Sequence, residues 1–345
     1  MSATPPIVTN APLHPLTPAA RVDARPSISA VVPAYNEARN LPSLLDALST
    51  QLAAMSPQWE IVVVDDGSRD ETPLVMQQWA QRSGIVYLRL SRNFGKETAL
   101  SAGIDAAQGD VVCLLDADGQ HPPAMLPEML ARWRDGVDMV YTVREDRADE
   151  GLIKRWGSHL FYTMMQRMSG VDMPAHAGDF RLMDRRVADA LRQLPERNRY
   201  LKGLYAWVGF RSEGVPYMPA ARLHGESSFS FGRLLRLAID GLTAFTTLPL
   251  RLWSMLGFGL ALVSIVYAGW LVIEHFVQGN PVPGFATLAV SLMFFSGVQL
   301  ISIGVLGEYV GRVFEEVKQR PRYLIATRLG QGLDASSGAA TPSAQ

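Results

Sequence analysis

Cysteine is almost missing from this chain of 345 residues. The single one, Cys113, lies inside an apolar run and can form no internal disulfide. A disulfide-stapled secreted fold is thereby excluded, and Cys113 reads as an inert core thiol in a chain suited to a reducing compartment. Net charge is equally scarce. The 32 basic and 33 acidic residues leave −1, so no global basic field points to nucleic acid. No G-x-G-x-x-G follows the first strand pattern and no G-x-x-x-x-G-K-[ST] occurs anywhere, which argues against a dinucleotide enzyme or a P-loop NTPase. The N-terminus has no basic segment followed by an apolar core. Residues 1–25, rich in proline, read as a disordered lead-in rather than a signal peptide, and residues 330–345, rich in Gly, Ala and Ser, as a disordered tail.

What is present is an alternation. Short apolar runs at Ser27–Pro33, Glu60–Val64, Ile85–Leu90 and Val111–Leu115 read as strands, with helical patterns over Leu41–Leu52, about Glu71–Gln81, and after Lys96. Strands alternating with helices imply parallel βαβ units, and each strand ends in a polar cluster. Those clusters should converge at the carboxyl edge of the sheet, where open α/β sheets bind ligands. The most informative cluster is Leu114–Pro123, LLDADGQHPP. Asp116 and Asp118, one residue apart at a strand end, with Gln120 beyond, suit a hard divalent cation such as Mg2+ or Mn2+ that also holds a substrate's phosphates. A plain solvated turn gives the same Asp/Gly composition, so the neighbouring clusters decide the matter. Tyr35 could stack on a base, Asp65 could accept hydrogen bonds from a base or ribose, and Lys96 at a helix start suits a diphosphate.

Taken together, VVPAYNE (31–37), VDDGSRDET (64–72), RNFGKE (92–97) and LDADGQHPP (115–123) resemble family 2 glycosyltransferases of the GT-A fold. The resemblance is greatest to the polyprenyl-phosphate hexose transferases, the dolichol-phosphate mannose synthase-like and bacterial GtrB-like enzymes, over about Ile28–Leu324. It implies a GT-A catalytic domain, Rossmann-like with a mostly parallel sheet, over residues 26–230. It implies donor contacts from Pro33, Tyr35, Glu37, Asp65, Lys96 and Asp116, and a metal on Asp116, Asp118 and Gln120. GDFRLM (178–183) resembles the acceptor-side motif, which would put Asp179 beside the reacting oxygen and Arg181 on phosphate. His176 and Ala177 stand where that motif has a polar residue and a cysteine. Arg222, Gly225 and Ser227 resemble a loop closing over the diphosphate. The implied reaction is inverting transfer of a hexose, with UDP-glucose favoured as donor, to a polyprenyl phosphate such as undecaprenyl phosphate. GDP-mannose, UDP-GlcNAc and an aminoarabinose donor remain open. A polysaccharide-elongating transferase, a non-catalytic scaffold and a transporter compete with this reading. The first lacks its Q-x-x-R-W acceptor motif here, the second is opposed by the intact Asp-x-Asp and acceptor motifs, and the third lacks a polar pathway.

Two long runs contain neither Lys nor Arg: about Leu252–Ile273 and Phe285–Leu306. Each has roughly the 20 apolar residues that cross a bilayer, and together they predict a transmembrane hairpin within residues 252–310. Gly151–Gly170 is amphipathic and reads as a helix on the sheet or at the bilayer interface; residues 231–251 read as an interfacial amphipathic helix. Arg233, Arg236 and Arg251 precede the hairpin and Arg312, Lys318, Arg320 and Arg322 follow it, whereas the connecting loop carries no basic residue. That places the catalytic domain and C-terminus in the cytoplasm, on the inner membrane. Within residues 311–329, Arg320–Ile325 reads as an edge strand. By the resemblance such a segment reaches a neighbouring subunit, which predicts a homo-oligomer, a tetramer. Arg199 and Arg211 read as solvated surface charges.

Overall fold

A computed structural model describes residues 21, 25–144, 177–197, 199–217 and 284–333, together with scattered helical positions between 253 and 273. The expected elements at Gly151–Gly170 and 231–251, and Arg222, Ser227 and His176, lie outside the described residues.

The described strands form one eight-stranded sheet: β1 (Ile28–Ala34), β2 (Trp59–Asp65), β3 (Ile85–Leu90), β4 (Val111–Leu114), β5 (Met139–Arg144), β6 (Ala177–Asp184), β7 (Ser212–Tyr217) and β8 (Ile325–Gly330). Their order is β7-β5-β6-β4-β1-β2-β3-β8. Strands β4, β1, β2 and β3 are mutually parallel, as expected of βαβ units, while β6 runs antiparallel to both β4 and β5, and β8 antiparallel to β3. Helices α1 (Leu41–Met55), α2 (Thr72–Trp79) and α4 (Leu126–Arg134) bury Leu45, Leu48, Met76, Met129 and Trp133 on one face. Helices α3 (Lys96–Ala106), α5 (Arg185–Gln193) and α6 (Leu201–Trp207) bury Leu100, Ile104, Leu191 and Leu204 on the other. The two-residue period of a strand divides the cores: in β1, Ala30 and Val32 face the first and Val31 the second. Cys113 is enclosed within β4.

Pro33 does not end β1, contrary to the sequence reading. The β1–β4 ladder stops at Val31↔Leu114, while β1–β2 pairing continues through Pro33↔Val64. A proline lacks the ladder N–H, and here it sits two residues past Val31, the last β1 residue paired with β4.

The C-terminal third differs from expectation in three respects. Helix α7 (Phe285–Val317) runs 33 residues and so extends well beyond Leu306. Strand β8 spans Ile325–Gly330 rather than Arg320–Ile325, and it pairs with β3. Order also continues past Gly330, because the backbone N–H of Leu333 donates to Glu60 at 3.1 Å. At the other terminus Arg21 is likewise held, by Asp138 and Asp184. Arg211 is exposed, but Arg199 is not a solvated charge: it is buried and donates to the carbonyls of Leu191 and Leu194 at 2.9 and 2.7 Å, capping the end of α5.

Among the described residues one helix is long and apolar enough to cross a membrane, over Phe294–Val317. The described positions of the earlier run are also helical and expose Phe258, Val266, Trp270 and Ile273.

Candidate active site

The crevice at the carboxyl ends of β1, β2 and β4 is built from interlocked loops. Gly67 takes φ 71° after β2, and a Cβ there would lie 2.6 Å from the Arg92 carbonyl carbon, so only glycine lets the two loops touch. Asp66 then accepts the N–H groups of Phe94 and Gly95 at 2.7 and 2.8 Å, which fixes the start of α3 and therefore Lys96. Ser68 accepts the Asn36 N–H at 2.9 Å and ties this loop to the one carrying Tyr35 and Glu37.

Lys96 is the hub. Its Nζ lies 2.7 and 2.8 Å from the two oxygens of Asp116 and 2.6 Å from Oδ2 of Asp179. Lys202, on α6, meets the other Asp179 oxygen at 3.2 Å. Two residues from distant segments, expected on the metal and acceptor sides respectively, are thus joined by one ammonium. Burial opposes the charge on Asp179, but Lys96 and then Lys202 outweigh it and hold the carboxyl well below the usual carboxylate range. Lys96 is correspondingly pushed above its ordinary value, its burial outweighed by Asp179 and Asp116.

Asp118 sits two residues beyond Asp116, with its Oδ1 accepting the Gln120 N–H at 3.1 Å. Burial, reinforced by the charges of Asp118, Asp70 and Asp116, pushes the Glu37 carboxyl up against an Asn40 hydrogen bond that lowers it. The side of the crevice around Glu37, Asp116 and Asp118 is therefore a concentration of carboxylate oxygen, and an internal ammonium already rests on part of it. That donor set fits a hard divalent cation. Among the described residues no three His, Cys, Asp or Glu side chains form a complete ligand group, so substrate oxygens and Gln120 would have to finish the shell.

Three expected residues are placed differently from the sequence reading. Asp65 is fully buried: Oδ1 accepts the Ser68 N–H at 2.7 Å, Oδ2 the Tyr87 hydroxyl at 2.7 Å, and Arg89 lies 3.7 Å away. It organises the loop instead of facing the crevice. Pro33 is buried too, leaving Tyr35, 41% exposed, as the open surface of that loop. Arg181 is only 2% exposed. Two residues on from Asp179 along β6, it points to the same sheet face but one step deeper. Its guanidinium lies 4.3 Å from the Tyr205 ring centroid and 5.3 Å from that of Tyr141.

Sequence reasoning assigned no part to His121, Glu97 or Lys202. His121 is buried against Phe180 and Tyr217, and its Nδ1 accepts the Asp116 N–H at 3.4 Å, bracing the metal-side acid. Burial pulls its pKa down in spite of Asp116 and Asp118. Glu97 accepts the Leu201 N–H at 3.1 Å and anchors α6 to α3. His121 and Glu97 lie inside the motifs LDADGQHPP and RNFGKE, which was their only signal, and Lys202 carried none.

The model of Glycosyl transferase family 2 covers residues 29–192, and that of the GtrB C-terminal hairpin covers residues 248–313. An uncharacterized glycosyltransferase of Synechocystis sp. is 44% identical over 304 residues, 88% of this chain and 96% of that protein. The chain belongs to glycosyl transferase family 2. A bactoprenol glucosyl transferase of Shigella phage SfII is 42% identical over 299 residues, 86% of this chain and 97% of that protein. A prophage bactoprenol glucosyl transferase homolog of Escherichia coli is 40% identical, covering 86% and 98%. The sheet with its crevice is accordingly the GT-A catalytic domain of a family 2 glycosyltransferase, followed by the GtrB-type hairpin.

Proposed function

We propose that this glycosyltransferase moves a hexose, glucose from UDP-glucose in the first instance, to a polyprenyl phosphate at the cytoplasmic membrane face. The observation that carries the reading is the Lys96 bridge, which sets Asp116 and Asp179 on one cation within hydrogen-bond reach. The relatives named bactoprenol glucosyl transferases, and the apolar helix α7, support the choice of a lipid acceptor.

Asp116, Asp118 and Gln120 would hold Mg2+ or Mn2+, which when bound supplies Lewis-acid neutralisation of the leaving diphosphate. Tyr35 offers an open ring for the base, and Asp65 holds the loop that presents it. Lys96 lies where a diphosphate oxygen can replace a carboxylate as its partner. In the transfer, an oxygen of the acceptor phosphate bonds to C1 of the sugar while the bond from C1 to the donor phosphate breaks. The electron pair leaves with the nucleoside diphosphate, and one displacement inverts the anomeric centre. A phosphate monoester with a second pKa of about 6 is already largely dianionic at neutral pH, so no proton needs to be removed. Asp179, kept ionised by two lysines, is a weak proton acceptor there. Its task is to orient the acceptor and favour positive character at C1. Arg181, stacked beneath, supports that carboxylate from inside.

The test is incubation of membranes with radiolabelled UDP-glucose, GDP-mannose or UDP-GlcNAc, followed by organic extraction. Lipid-soluble label from UDP-glucose is the expected result. No lipid-soluble label from any of them, with polyprenyl phosphate supplied, would overturn the reading.

A further inference from the structure

The sequence motif offered Arg181 as the cation for the acceptor's phosphate, yet its guanidinium is enclosed between Tyr141 and Tyr205. Two other cations beside Asp179 are open: Lys96, whose side chain is 44% exposed, and Lys202. The Lys202 side chain is 33% exposed and its Nζ lies 3.2 Å from Asp179 Oδ1, the oxygen that Lys96 does not hold. Lys96 takes the other oxygen and faces the metal-side acid. The start of α6 is held in place by Glu97, so the position of Lys202 is fixed by the fold and not left to a free surface chain.

We propose that Lys202 receives the phosphate of the acceptor. This rests on the transfer to polyprenyl phosphate argued above. The two lysines divide the crevice: Lys96 serves the donor's diphosphate and Lys202 the incoming monoester. An ammonium has three donors on a flexible stem, so Lys202 can take phosphate oxygens while keeping or releasing Asp179. Asp179 thereby acts as a placeholder anion, keeping Lys202 in the crevice until phosphate arrives. No bond is made or broken in this exchange of partners.

The test compares the full-length wild type with Lys202→Gln and Lys202→Arg in nanodiscs, varying polyprenyl phosphate at saturating nucleotide sugar. Loss of a charge-assisted contact predicts a rise of roughly 10- to 100-fold in the acceptor KM for Lys202→Gln. Lys202→Arg should recover most of it, and the nucleotide-sugar KM should stay at its wild-type value. A lysine with a purely structural role would change both KM values together. An unchanged acceptor KM in folded Lys202→Gln, or equal losses for both substrates, would overturn the assignment. Acetylation of wild-type protein with acetic anhydride needs no variant to fold: polyprenyl phosphate should protect Lys202, and equal labelling with and without it would also overturn the assignment. If the wild type fails to glycosylate polyprenyl phosphate at all, the proposed function fails with it. An active wild type with an indifferent Lys202 removes only the lysine.

Discussion

Asp118 and Asp179 are both crevice carboxylates, but their surroundings give them unequal tasks. Asp118 lies on the carboxylate-rich side of the crevice that would hold the cation, so Asp118→Ala should abolish metal-dependent turnover. Asp179 is already ionised and acts on a nucleophile that carries no proton to remove. Asp179→Asn should therefore lose less activity than Asp118→Ala, with no new pH step between pH 6 and 9, read by transfer of label to lipid. An equally complete loss at every pH in that range would mean that Asp179 is a base after all. Glu97 makes a different prediction. Burial, reinforced by Asp179, pushes its carboxyl from 4.5 up to about 7. The folded state then keeps a proton that the unfolded chain has released, so stability falls as pH rises from the ordinary glutamate value towards 7. Glu97→Gln should flatten that slope in thermal midpoints measured by circular dichroism across the window. A slope equal to the wild type's would show that Glu97 is not its source.

At the scale of elements, the site depends on how closely α3 lies on the sheet. Gly103 makes this possible, since a Cβ there would collide with Cγ1 of Val31. Val31 is β-branched and held in a central strand, so it cannot swing aside. Gly103→Ala should cost about 1–3 kcal/mol, the usual penalty of overpacking. It should also lower activity, because α3 carries Lys96; retention of wild-type thermal stability would contradict this packing. Strands β1 to β4 and their helices were legible in the sequence because short apolar runs bounded by Gly and Asp report burial directly. Strand β6 was not, because Asp179, Arg181 and Asp184 break the apolar pattern, and all three are polar for reasons that only the fold displays. The candidate site was legible as motifs at strand ends. Sequence gave no indication that Arg181 and Asp65 turn inward, since inward and outward differ by one step along a strand. Strand β8 was misplaced by five residues because its exposed pattern, with Thr327 and Arg328 among the apolar positions, resembles that of the turn before it.

At the scale of the whole molecule, α7 is the element that would join a membrane to catalysis. At 1.5 Å per residue its 33 residues reach about 50 Å, longer than a hydrocarbon core of roughly 30 Å. The excess projects its charged end, with Glu308, Arg312 and Glu316, towards the catalytic domain, where Glu316 accepts the Arg197 N–H at 2.9 Å. Beyond it, Tyr323 donates to Asp105 at 2.9 Å and β8 completes the sheet edge. The chain that follows the apolar helix is thus tied to the catalytic sheet at both α3 and β3, so the C-terminal end of α7 lies on the same side as the crevice. The basic residues flanking the two apolar runs, and their absence from the loop between, predict that this side would be the cytoplasmic one. The lone cysteine makes this cleanly measurable, because Cys113 is fully enclosed in β4 and burial pushes its thiol up, away from the reactive thiolate. Asn280→Cys, in the loop between the runs, should react with a membrane-impermeant maleimide on intact cells. Ser343→Cys, near the C-terminus, should react only after lysis. Labelling of Ser343→Cys on intact cells would place the crevice on the outer face, away from any cytoplasmic nucleotide sugar, and the proposed reaction could not run as described.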